Sequence, residues 1–518
     1  MKIAYEDEYY SFYEATLYSE DPRFAYIFLL ETKDGKKYYY SELGLSETYD
    51  FAHFYISSFR MPYINPIDVE FDNPRFKGDL FYQIFVDRFF SSGKGDKSYI
   101  NRPRDSLDLR GHRDNRKQDV FLGGDLKGVS EKLDYLKDLG VDSVYLTPIC
   151  RGSSNHKYDV IDYFKIDPMF GDDSDLKEFV DKAHSLGMKV VLDLVFNHSS
   201  FYNEMFQDVV KNGKNSKYYN FYIVHGDKPD KEKRNYDTFG SVAMMPKLNS
   251  NDYLENDYFV CVGKYFIEKF SIDGFRLDVA NEVSHTFWER FKYELRRIKK
   301  DVILIGECRN DASSYLGADQ MDSVMNYQFM LSCIDFYVDK RIDVEHFVYR
   351  LIDLYLRYPE GNSRMMLNLL DSHDTERFYN MVKPDIDIYL MAVLNLIAYP
   401  GWAMIYYGDE IFMEGGTDPD NRRGMEWDSK FFHSEKYELL KSILHLRMLD
   451  EFRSGAFSIS SVGPLLKIVR SSLNSDYSIY INNSETKWAI DEVGAVVVAN
   501  NFDKSVVKPY GFVVLKTK

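Results

Sequence analysis

The residues best suited to chemistry are acids at the ends of short apolar runs. In IDGFRLDVANE, Arg276 and Asp278 stand two apart on a run that reads as a strand, so their side chains point to the same side. A cation there keeps Asp278 ionised, the state an attacking carboxylate requires. Glu307 closes the apolar run VILIG, and a carboxyl in such surroundings holds its proton more firmly, which suits a general acid. One carboxylate to attack an anomeric carbon and one carboxyl to protonate the leaving oxygen is the pair needed to cleave a bond between neutral sugars. The plainer reading of the same residues is an Arg-Asp ion pair beside a strand-end acid that faces water.

A further cluster, LLDSHDTER, sets His373 and Asp374 side by side just past another apolar run. An extra acid with two histidines, His198 and His373, can bind sugar hydroxyls, and metal ligation is the competing use of these types. The sequence has neither HxxxH nor HxH spacing, so no metal is expected there.

Something must bring residues this far apart together. Between residues 80 and 410, near-continuous apolar runs recur: LFYQIFV, DSVYLTPI, MKVVLDLVF, IDGFRLDV, DVILIGE, MMLNLLD and AMIYYG. They read as strands buried on both faces. Helical patterns separate them, beginning at Leu126, Asp175 and Ser284, and the first two end in Gly. Alternation over this length predicts an α/β fold, a closed (β/α)8 TIM barrel. Its strands would open Asp193 and His198, Asp278, Glu307, His373 and Asp374 onto one face. We place the catalytic barrel at residues 76–450, with an inserted domain at about 197–252 after the third strand, where the pattern loses its period. Short β-rich segments predict a C-terminal β-sandwich at 451–518 and a short β-rich N-terminal domain at 1–75.

A formal net charge of -17 argues against a nucleic-acid partner, since an acidic surface repels phosphate. The N-terminal MKIAYEDEYY carries acids where an export signal needs basic residues and an apolar run, so a cytoplasmic protein is expected. Four scattered cysteines, without CxxC spacing, read as reduced thiols. The stretch LMAVLNLIAYPGWAMIYYG from Leu390 approaches membrane-span length, yet Asn395 and Pro400-Gly401 interrupt it. It reads as buried helix, turn and strand, with no membrane partner.

Four motifs, DLVFNH (193–198), GFRLDVANE (274–282), IGE (305–307) and SHDT (372–375), resemble in order the four signature regions of the α-amylase superfamily, glycoside hydrolase family 13. MPKLN (245–249), SNHKYDVIDYFKIDPMFG (154–171) and DPDNRR (418–423) resemble its neopullulanase, cyclomaltodextrinase and maltogenic amylase group. The resemblance covers roughly residues 20 to 430. It implies hydrolysis of α-1,4 bonds in cyclodextrins, maltooligosaccharides and pullulan with retention, through a glucosyl ester on Asp278, with Glu307 first acid and then base. By the same resemblance Asp374 and His373 bind the 2- and 3-hydroxyls of the sugar being cleaved, and His198 its 6-hydroxyl. Tyr158 stacks on that sugar, His156 lies beside it, Asp418 and Arg422 close the non-reducing side, and Asn281 and Glu282 lie near the acceptor. Alternatives are an α-glucosidase or transglucosidase that also accepts α-1,6 bonds, and a non-catalytic barrel serving as a binding subunit.

The sequence departs from that pattern in places. Relatives often carry a Trp two places after the acid, where this chain has Arg309. The loop FFSSGKGDKSYINRP keeps Asp96 and Asn101 but lacks the denser ligands that hold calcium in some relatives, so neither calcium nor any other cofactor is expected. The N-terminal region resembles only the later strands of the group's starch-binding-type sandwich. Its strand edges would need covering, which makes a homodimer an expectation to test.

Overall fold

All seven apolar runs are strands, and all lie in one closed parallel barrel. The computed structural model describes residues 1–7, 9–65, 73–94, 121–317 and 319–518. The chain divides into two compact units, Met1–Phe71 and Asp72–Lys518.

The barrel strands are β1 (Leu80–Ile84), β2 (Ser143–Leu146), β3 (Lys189–Leu194), β4 (Gly274–Leu277), β5 (Ile303–Gly306), β6 (Ser323–Asn326), β7 (Leu367–Leu369) and β8 (Trp402–Tyr406). Each pairs in parallel with the next, and β8 closes on β1. Almost every strand residue is buried, as expected where side chains fill the interior and helices cover the outside.

β6 has no counterpart among the seven runs. Its sequence, SVMN, has two apolar residues between polar ends, too few to register as a buried run. The polar ends are satisfied internally: Ser323 Oγ accepts the Leu367 N–H at 3.1 Å, and Asn326 Nδ2 donates to Asn368 Oδ1 at 2.8 Å.

The apolar stretch from Leu390 resolves as expected. A helix, Ile386–Ala398, ends before a turn and then β8. Gly401 makes the turn with φ +101°, and a Cβ there would lie 2.7 Å from the Met366 carbonyl. No helix among the described residues is long and apolar enough to cross a membrane.

Between β3 and the long helix Tyr253–Phe270, the insertion contains the helix Glu204–Asn212 and isolated bridges in place of regular strands. Phe206 anchors it, with ring centroids 5.4 Å from Phe201, 4.7 Å from Tyr222 and 5.2 Å from Tyr236. A bridge from His198 to Lys247 ties its two ends together.

The C-terminal strands are β9 (Ala456–Val462), β10 (Leu465–Ser471), β11 (Asp476–Asn482), β12 (Trp488–Ala489), β13 (Ala495–Asp503) and β14 (Val506–Lys516). They form one antiparallel sheet, because the long β14 pairs with β11, β12 and β13. Its core includes Leu465, Tyr480, Ile490, Val507 and Val513.

The N-terminal unit is also built from antiparallel strands. Phe24–Tyr26 pairs with Phe59–Met61, and Phe28–Glu31 with Lys37–Ser41. Tyr26, Phe28, Tyr40 and Phe59 pack as an aromatic cluster with centroids 5.3 to 6.1 Å apart.

Candidate active site

One guanidinium organises the C-terminal mouth of the barrel. Arg276 is on β4, in register with Asp193 on β3 and Ile305 on β5. Its Nη1 donates to Asp278 Oδ1 at 2.8 Å and to both Asp193 oxygens at 3.0 and 3.1 Å, and its Nη2 lies 2.9 Å from Glu307 Oε2. All four side chains are buried or nearly so. Three carboxyls on one cation favour retention of a proton within the cluster. Burial, reinforced by the carboxylates of Glu307 and Asp193, pushes Asp278 well above the usual carboxylate range. Arg276 opposes that rise without cancelling it, so the expectation that this cation alone keeps Asp278 ionised is not met, and attack by Asp278 requires the cluster's proton to sit on Glu307. Burial likewise raises Asp193 to about 6.

The backbone contributes one donor. Val279, directly after Asp278, has φ 45° and ψ 45°, a left-handed conformation that a β-branched residue rarely adopts. That costs about 1–3 kcal/mol. It aims the Val279 N–H at Glu307 Oε2, 2.9 Å away. Both Arg276 and Val279 therefore engage Oε2, leaving Oε1 as the outward oxygen of Glu307.

Opposite lies a chain of neutral groups. Gln83 on β1 donates from Nε2 to His373 Nδ1 at 2.8 Å. That places the ring proton on Nε2, which lies 2.6 Å from the Tyr158 hydroxyl and 3.3 Å from Asp374 Oδ1. Tyr158 in turn donates to Asp193 at 2.8 Å, as Tyr145 does at 2.6 Å. The Tyr158 and His373 rings stack at 5.3 Å with a 5° interplanar angle. Burial, then the cations Arg422 and Arg276, hold His373 well below the usual histidine range. His156 is lowered by burial to about 4, and its ring lies 5.8 Å from that of Tyr158.

Arg422 closes this wall. It donates to the His373 carbonyl at 2.7 Å and to Asp374 Oδ1 at 3.2 Å, and pairs with Asp418 at 3.0 Å. His198 is buried against Phe239, with centroids 4.8 Å apart, and burial lowers it to about 3. Its Nε2 has no hydrogen-bond partner among the described residues.

The sequence-predicted residues Asp278, Glu307, Asp374, Arg276, His373, Tyr158, His156, Asp418 and Arg422 thus form one connected network. Asn281 and Glu282 do not join it through their side chains. They sit exposed on the turn after Val279, where their main-chain oxygens accept from Tyr315 and Lys247. Three members went unassigned in the sequence: Asp193, Tyr145 and Gln83. Gln83 carried a visible signal, a polar residue inside the run LFYQIFV that proves fully buried. Among the described residues no group of three His, Cys, Asp or Glu could hold a metal ion. Asp96 and Asn101 lie outside the described residues.

Such a cleft, with paired carboxyls on one wall and neutral hydrogen-bonding groups on the other, suits acid-base and nucleophilic work on a neutral polyhydroxylated substrate. Residues 83–442 match the family described as alpha amylase, catalytic domain. The chain belongs to the α-amylase family. Residues 1–65 of this α-amylase-family chain match the alpha amylase N-terminal ig-like domain. It is 37% identical over 496 residues to a cyclomaltodextrinase of Thermoanaerobacter pseudethanolicus, covering 95% of this chain and 84% of that one. It is 38% identical over 492 residues to neopullulanase 2 of Thermoactinomyces vulgaris, covering 93% and 82%. A solved structure named cyclomaltodextrinase superposes with a TM-score of 0.90 at 32% identity, covering all of this chain and 91% of that one. The protein is an α-amylase-family glycoside hydrolase.

Proposed function

We propose that the protein hydrolyses α-1,4-glucosidic bonds of cyclodextrins, maltooligosaccharides and pullulan with retention of anomeric configuration. The observation that carries this reading is the shared fork of Arg276, whose Nη1 and Nη2 hold Asp278 and Glu307 at 2.8 and 2.9 Å. A common guanidinium keeps two carboxyls close, as retaining glycosidases require, rather than spread wide enough to admit a water between them.

In the first step Asp278 attacks the anomeric carbon as Glu307 gives its proton to the leaving oxygen, forming a glucosyl ester and freeing the leaving chain. In the second, water gives a proton to Glu307 and attacks the same carbon, restoring the Asp278 carboxylate. Asp374 and neutral His373 hold the 2- and 3-hydroxyls, His198 offers its unpartnered Nε2 to the 6-hydroxyl, and Tyr158 supplies an aromatic face with His156 beside it. Arg422 and Asp418 close the non-reducing side. No step needs a metal. The names of the relatives, cyclomaltodextrinase and neopullulanase, support short and cyclic glucans as substrates.

Purified protein incubated with γ-cyclodextrin, pullulan, soluble starch, maltotriose and isomaltose, followed by chromatography of the products, tests the substrate range. Cyclodextrin and maltotriose are expected to be cut faster than starch. Starch cut much faster than cyclodextrin would sink the assignment, and rapid isomaltose cleavage would move it towards an α-glucosidase.

A further inference from the structure

Arg309 follows β5 and returns to the cleft that its neighbour Glu307 lines. Its Nη2 lies 3.4 Å from Glu307 Oε1 and 3.6 Å from Asp374 Oδ2. The guanidinium carbon sits 5.5 Å from the centre of the buried Tyr327 ring. The side chain is 63% exposed.

Neither carboxyl depends on Arg309 for a partner. Glu307 already takes Arg276 and Val279 at 2.9 Å on Oε2, and Asp374 takes Arg422 at 3.2 Å on Oδ1. Arg309 instead occupies the two oxygens that the stronger donors leave over. Because Oε2 is fully engaged, a glycosidic oxygen can take a proton from Glu307 only at Oε1. That is the oxygen Arg309 covers.

We infer that Arg309 is a positioning residue, a cationic latch joining Glu307 after β5 to Asp374 after β7, which an entering glucan must displace before its leaving oxygen reaches Glu307. This rests on the role given to Glu307 above. The contacts are long and largely exposed, so the latch is weak and salt-sensitive. Once displaced, the guanidinium no longer touches the reacting groups, and its effect falls on KM rather than on kcat.

The test is steady-state hydrolysis of maltotriose by the wild type, Arg309→Met and Arg309→Lys. Met keeps an unbranched stem over Tyr327 without the charge, and Lys keeps the charge. In Arg309→Met, KM is expected to fall by about two- to fivefold, the size of one or two exposed ion pairs, with the change in kcat smaller than that in KM. Arg309→Lys should retain the wild-type KM. Raising NaCl from about 10 mM to about 500 mM should lower KM for the wild type but not for Arg309→Met. A KM that rises or stays put in Arg309→Met, or Met and Lys variants that behave alike, overturns the latch. Glu307→Gln separates the two claims: near-native turnover in that variant removes the role of Glu307 and the latch with it. An inactive Glu307→Gln beside an unmoved KM in Arg309→Met removes the latch alone.

Discussion

Arg276 faces three carboxyls with two terminal nitrogens, and only a planar fork can do this. A lysine would offer one point of charge, leaving at least one buried carboxylate without its partner. Arg276→Lys should therefore cost about 3–5 kcal/mol in urea unfolding and lower kcat at least about 100-fold. A variant of native stability and turnover would show that the cluster is not held by this fork. This residue was legible in the sequence because it stands two places from Asp278 on a strand. Its third carboxyl partner, Asp193, was visible as an acid near a strand end but had no assigned task, since cross-strand register is a property of the closed barrel. The left-handed Val279 was hidden for a different reason: nothing about a valine announces a positive φ.

Among the elements, the strands that read clearly were those with continuous apolar runs, and β6 shows where that signal fails. Its Ser323 and Asn326 are polar by type yet buried, because they hydrogen-bond to β7 rather than to water. Asn368 on β7 completes the joint. It accepts from Asn326 and donates to the Pro400 and Trp402 carbonyls at 2.8 and 3.2 Å, linking β6, β7 and the turn into β8. Asn368→Leu is of similar size but leaves buried groups unpaired, so a loss of about 2–4 kcal/mol in denaturant unfolding is expected. Asn368 hydrogen-bonds to Asn326 and to the Pro400 and Trp402 carbonyls but to none of the acids or histidines of the site, so activity below the unfolding transition should fall less than tenfold. Unchanged stability would mean that the short strand is held by packing alone.

At the scale of the whole molecule, burying neutral histidines couples stability to pH. His156 and His198, lowered to about 4 and about 3, and His373, also well below the ordinary range, stay neutral in the folded chain. In the unfolded chain each binds a proton near pH 6.5. The unfolded state therefore takes up more protons on acidification, so this stability is present above about pH 6.5 and is lost as pH falls towards about 4. Each histidine contributes a slope of about 1.4 kcal/mol per pH unit within that window. Asp193, raised to about 6, and Asp278, raised well above the usual range, act with the opposite sign: each binds its proton first in the folded state, and its contribution is lost as pH rises through its folded value. Denaturant unfolding of the wild type and His156→Asn compared between pH 7 and pH 5 should differ in slope by the uptake of about one proton in the unfolded chain, the variant losing less stability on acidification. The same slope in His156→Asn as in the wild type would contradict the neutral, buried assignment. The parallel barrel was readable from periodicity, but the joining of all C-terminal strands into one sheet was not, because the length of β14 shows only once its partners are known.

The most direct test of the central claim is to trap the ester. In Glu307→Gln, α-maltosyl fluoride needs no proton on its leaving group, whereas the second step loses its base, so the glycosyl-enzyme should accumulate. Intact-protein mass spectrometry should show the gain of one maltosyl residue, mapped after proteolysis to the peptide carrying Asp278. Fluoride release without an adduct, or an adduct on any other residue, would contradict a retaining mechanism centred on Asp278 and Glu307.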